Sequence, residues 1–103
     1  MMTVDDLAEL VRRRYRAATA TVGHRGSGRI VLDVVFGERL FVLEYFPGEG
    51  FGVDEVTDDE VFLVGYREVF ADAIGAGVFL LNLLDGVQVR EATPEIAAQR
   101  QAV

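Results

Sequence analysis

The chain has 103 residues, a formal net charge of −7, a sequence pI near 4.5 and 50% apolar residues, which bound it to one domain with a modest core. It contains no cysteine, so disulfides, thiolate ligands and thiol nucleophiles are excluded. All ten basic residues are arginine, so Schiff-base chemistry and a phosphate-loop lysine are excluded too.

Thr3-Val4-Asp5-Asp6 has the signature of a helix start, with Thr3 as N-cap and Asp6 as the capping-box acid. Val4, Leu7, Val11, Tyr15 and Ala18 fall at helical spacing. Acids fill the first turn and arginines the last, which suits the helix dipole. The pattern predicts a helix over about 4–19, with Glu9 reaching Arg13 at i,i+4.

Gly23 to Gly28 form a glycine-rich turn, and a β-meander follows. Alternation predicts strands over about 29–36, 40–46 and 51–56, with Pro47-Gly48 as the centre of a type II turn. The most apolar pairing of the first two strands sets Phe36 opposite Phe41 and Leu32 opposite Tyr45, which also sets Asp33 opposite Glu44. The β-branched and aromatic run over 60–67 predicts a fourth strand.

A helix is predicted over about 71–85, with Asp72 at its start and Ala73, Ile74, Gly77, Leu80, Leu81 and Leu84 on its buried face. Asp85-Gly86 is a stop signal. Residues 87–91 suit a short edge strand, which would be the fifth, and Thr93-Pro94 opens a last helix over about 94–101. The fold class is therefore α+β: an antiparallel sheet of four strands, or five, packed with an N-terminal and a C-terminal helix and ending in a short helical tail.

The chemistry-bearing inventory is sparse, with one histidine (His24) and one serine (Ser27). They stand three apart in one loop, with no nucleophile elbow before the serine. Gly23 to Gly28 followed by Arg29 imitates a phosphate loop, but Ile30 stands where the magnesium-holding hydroxyl belongs. A weaker anion nest of Arg25, Gly26, Gly28 and Arg29 is compatible with the sequence, beside the simpler reading of a plain turn.

Asp33 facing Glu44 is the sharpest feature. Opposed like charges destabilise a sheet, so solvent, an arginine, a metal or a partner must relieve them. A ligand or ion site of Asp33, Glu44 and Tyr45 would offer oxygen donors alone. No metal and no cofactor is required by any motif. The acidic bend from Asp54 to Glu60 fails the calcium-loop pattern, since Asp59 stands where glycine is required.

Hydrophobic content and a mean hydropathy of +0.24 exceed what a small monomer hides. The second face of the sheet, with Val31, Val35, Val42 and Phe46, is the expected interface, and a homodimer is the expected assembly. Charge is divided unevenly: residues 1–29 hold six arginines and three acids, whereas the rest hold four arginines and fourteen acids. Arg12 and Arg16 on one side, and Asp58 and Asp59 on the other, are therefore the expected charged contacts to a protein partner. Overall acidity makes nucleic acid an unlikely partner.

No apolar run approaches the ~18–20 residues of a membrane span. The start MMTVDDLAEL lacks a signal-peptide core, so a cytoplasmic protein is expected. The inventory points away from an enzyme and toward a non-catalytic acidic protein-binding module of adaptor, chaperone-like or inhibitor/immunity type. The alternative is a small-molecule or metal-ion binding protein, or a small enzyme, that uses Asp33 and Glu44.

Overall fold

Thr3 opens the first helix as expected. The Thr3 amide donates to Asp6 Oδ2 (2.9 Å) and the Asp6 amide donates to Thr3 Oγ1 (3.1 Å), so the capping box is complete. The bond from the Thr3 backbone holds the Asp6 carboxyl below its ordinary pKa. In this computed structural model, which describes residues 2–56 and 68–102 (90–102 as backbone alone), α1 spans Val4–Arg14.

Five strands follow: β1 Thr19–His24, β2 Ile30–Phe36, β3 Arg39–Phe46, β4 Gly50–Val56 and β5 Glu68–Phe70. They form one antiparallel sheet in the order β1-β2-β3-β4-β5. Helix α2, Ala73–Ala102, closes the described chain. The α+β class with an antiparallel sheet between two terminal helices is thus the observed architecture.

The first helix ends four to five residues earlier than its periodicity suggests. Tyr15 leaves helical geometry (φ −124°, ψ 87°) and the chain turns through an Ala18 amide to Tyr15 carbonyl bond of 3.0 Å. Thr19 to His24 then pair with β2 along six positions. The β-branched Thr19, Thr21 and Val22 fit a pleated strand better than another helical turn, and the ladder supplies partners for the backbone. The fifth strand of the sheet is therefore β1. The strand expected over 60–67 lies outside the described residues, which resume at Glu68 with β5 on the edge beside β4.

The β2–β3 register differs from the most apolar pairing by two residues. The connection is Gly37-Glu38, both at positive φ (58° and 65°), a two-residue turn whose twist matches that of the strands it joins. Turn geometry overrides the gain from matching Phe36 with Phe41. Leu32 pairs with Leu43, Asp33 with Val42, and Glu44 with Val31. Asp33 and Glu44 are not opposite one another. The β3–β4 turn is as expected: Gly48 has φ 78°, and the Glu49 amide donates to the Phe46 carbonyl at 2.9 Å.

Both helices pack on one face of the sheet. Leu32, Val34, Phe36, Phe41, Leu43 and Val53 meet Leu7, Val11 and Tyr15 of α1 and Ala76, Leu80 and Leu84 of α2. Asp72 caps α2, accepting from the Gly75 amide at 2.8 Å. The buried stripe of α2 runs Ala73, Ala76, Leu80, Leu84, Val87, rotated slightly from the expected one, so Ile74 is 65% exposed. A Cβ on Gly77 would stand 2.6 Å from Leu7 Cδ2, so this glycine lets α1 and α2 approach closely.

Gly86 does not stop α2, and residues 87–91 are helical rather than a strand. Val87 falls three residues after Leu84 and continues the buried stripe, which offsets the ~1 kcal/mol that a helical glycine costs. The helix also continues through Pro94, so the separate tail helix is absorbed into α2.

Candidate functional site

Alternation divides the expected site residues between the two faces. Positions that share a register row share a face. Tyr45 belongs to the helix-covered face, half-buried against Phe51 with ring centroids 5.0 Å apart. Asp33, Glu44, Val31, Val35, Val42 and Phe46 belong to the far face. Tyr45 therefore does not join the two carboxylates in one pocket.

Glu44 is the buried charged group of the far face, 3% exposed. Its row reads Gly23, Val31, Glu44, Gly52, so one neighbour is apolar and Gly52 brings no side chain. Arg29 reaches it from the adjacent row, with Nη2 2.5 Å from Glu44 Oε2. The Arg29 guanidinium also lies over the Phe46 ring, 4.9 Å from its centroid. Of the four ways to relieve the carboxylates, an arginine of this chain is the one present at Glu44. Asp33 lies between Thr21 and Val42 and is half-buried.

The loop of Arg25, Gly26, Gly28 and Arg29 spends part of its donor set on itself. The Arg25 amide donates to the Arg29 carbonyl (2.8 Å), and the Arg29 amide donates to the Gly26 carbonyl (3.4 Å). Ser27 and Gly28 both take positive φ to make the turn, a single 3-10 turn over Gly26–Gly28. Two of the amides that an anion nest would use are thereby occupied.

Arg12 pairs with Glu9 (3.1 Å) and donates twice to the Ala20 carbonyl (3.3 and 2.8 Å), tying α1 to the outer edge of β1. Arg13 also reaches Glu9, at 3.9 Å, as the i,i+4 spacing predicts. Arg16 is exposed. Asp58 and Asp59 lie outside the described residues. Among the described residues, no group of three or more His, Asp or Glu side chains is placed to hold a metal ion, and no helix is long and apolar enough to cross a membrane.

A cluster that sequence reasoning missed joins the two helices. The Tyr15 hydroxyl, at the end of α1, donates to Asp85 Oδ1 (2.5 Å) and lies 3.1 Å from the Leu81 carbonyl. Arg14 Nε donates to the Tyr15 oxygen at 3.0 Å, and Arg14 pairs with Asp85 at 3.3 Å. Burial, then the bond to Asp85, pushes the Tyr15 pKa up to about 12. The same bond holds Asp85 below its ordinary value, and Arg14 is raised by its bonds to Tyr15 and Asp85. These residues are seventy positions apart, and Asp85 beside Gly86 reads as a helix stop, so no local pattern signals the pairing.

The remaining surface feature is apolar. Val35 on the far face, Val69 on β5, and Ile74, Val78 and Val89 on α2 are each about half exposed or more. Comparison of the chain with family models, with curated proteins and with solved structures returned no match.

Proposed function

We propose that this chain is a non-catalytic, acidic protein-binding module acting in the cytoplasm, of the adaptor, chaperone-like or inhibitor/immunity kind. The observation that carries the reading is the set of large apolar side chains standing in water: Val35, Val69, Ile74, Val78 and Val89. Burying such side chains against a partner is the main favourable term in association. The net charge of −7 would steer a basic partner and keep the free chain apart from nucleic acid. Glu44, the carboxylate most suited to a ligand by burial, lies against Arg29, which favours a structural role for it.

The test is site-specific photocrosslinking in the native cell, with a photoreactive residue replacing Val35 in one variant and Val78 in another. Protein adducts at either position are the expected result. A folded chain that yields no protein adduct at both positions would end this reading.

A further inference from the structure

We propose that the outer surface of the α1–α2 pair is where a second copy of this chain docks, antiparallel, about a two-fold axis near Leu10 and Leu81. This rests on the reading of the chain as a protein-binding module and names the partner of one of its surfaces.

The helices run side by side in the same sense. Leu7 meets Gly77 near their starts, and Tyr15 meets Leu81 and Asp85 further along. Leu10, one turn beyond Leu7, therefore lies level with Leu81. On α2, Ile74, Val78, Leu81, Asp85 and Val89 follow one another at spacings of 4, 3, 4 and 4, a single helical line. Ile74, Val78 and Val89 on that line are 65%, 54% and 64% exposed. Leu81 is half-buried, and Asp85 is engaged by Tyr15 and Arg14. Leu10 on α1 is 37% exposed.

The surface is self-complementary in the spacing of its apolar and charged positions. Ile74 and Val89 stand at nearly equal distances on either side of the Leu81–Asn82 step. Reversing one copy against the other sets Ile74 on the second copy's Val89 and Val78 beside its Asp85. On α1, Asp6, Leu10 and Arg13 share a line at spacings of 4 and 3, with the acid before the leucine and the arginine after it. The same reversal sets Asp6 against the second copy's Arg13, twice, by symmetry. A two-fold interface must be its own complement, and both midpoints fall close together along the helix pair.

Sedimentation and light scattering of the full chain over a dilution series test the proposal, with circular dichroism to verify folding. A dimer is expected, and Val78→Asp or Ile74→Asp, both at exposed positions, should weaken it by about a hundredfold or more. Arg13→Glu should weaken it about tenfold, because it sets two like-charge pairs in the interface. Adding Asp6→Arg to Arg13→Glu in the same chain should restore association. Thr3 Oγ1 can still accept the residue 6 amide in that variant, so α1 keeps part of its cap. A folded wild-type chain that stays monomeric at the highest concentration overturns the proposal, as does a dimer indifferent to both aspartate variants. Failure of the charge swap to restore a dimer that Arg13→Glu has weakened overturns the two-fold arrangement. If the chain is monomeric while crosslinks at position 78 capture a foreign protein, the second copy is refuted and the binding-module reading stands.

Discussion

The two faces of the sheet alternate along the same strands, yet they carry different kinds of structure. On the helix-covered face Leu32, Val34, Phe41, Leu43 and Val53 are fully buried in one continuous apolar cluster. On the far face apolar and charged residues are mixed: Val31 and Glu44 are buried, Val35 is 48% exposed, and Asp33, Val42 and Phe46 lie between. Both faces carry several valines, but Phe36, Phe41, Tyr45, Phe51 and Phe70 belong to the helix-covered face and only Phe46 to the other. The two carboxylates in the middle of the far face weigh against covering it. A helix stripe laid over Asp33 and Glu44 would bury carboxylates against carbon, whereas Arg29 can reach Glu44 from the same side of the sheet.

The largest effect that tests this contrast is a pair of truncations. Leu43→Ala should destabilise the fold by about 2–5 kcal/mol, because the branched end it removes leaves a cavity in a close-packed core. Val35→Ala on the far face should change stability by less than about 0.5 kcal/mol. Urea midpoints of the two variants compare them directly, and similar losses would mean that the far face is as much a core as the other.

The next effect separates the members of the far-face ion pair. Arg29→Ala removes the cation paired with a buried carboxylate and should cost about 2–3 kcal/mol. Glu44→Gln leaves an arginine whose side chain is 41% exposed and free to turn to water, so it should cost about 1 kcal/mol. A double-mutant cycle in urea measures the coupling, and the reverse asymmetry would show that Glu44 does more than answer Arg29.

The smallest effect concerns the clamp that seats the helices on their face. Tyr15→Phe should cost about 1 kcal/mol near neutrality. The sign of its pH dependence follows from the direction of the shift. Folding raises the Tyr15 pKa from 10.0 to about 12, so the folded chain holds the phenolic proton more tightly. Its contribution is complete below pH ~10 and fades as pH rises through about 12. Asp85 is shifted the other way, so its contribution is present above the ordinary carboxylate range and fades as pH falls through its lowered value. Stability curves of Tyr15→Phe should lose the alkaline decline and flatten the acid one.

How much of this was legible in the residues depended on how local the cause was. Thr3 and Asp6 cap α1, Pro47-Gly48 turns β3 into β4, and Asp72 starts α2, all as their side chains and backbone preferences require. Each signal acts over about four residues. The end of α1 is not legible because the apolar stripe continues to Ala18 while strand pairing with β2 claims Thr19 onward. The Gly37-Glu38 turn sets the register of β2 on β3, against the best hydrophobic match. The expected pairing of Asp33 with Glu44 went with it. Glu44 survived as a place of interest because a carboxylate amid valines needs a partner, but nothing in the order of residues named Arg29. The Tyr15–Asp85 contact joins opposite ends of the chain and was not readable at all.

The strand order has a consequence in time as well as in space. Every strand of the sheet lies beside its neighbour in the chain. Each pairing closes a comparatively short span, which favours rapid formation, and it can begin while later residues are still being synthesised. Half of the cover, α1, precedes the strands, but the other half, α2, is made after all five of them. Until Leu80, Leu84 and Val87 emerge, a formed sheet would carry Leu43 and Val53 unshielded beside α1. The interval before α2 docks is when a nascent chain of this topology is most open to aggregation, and Tyr15 must wait through it for Asp85.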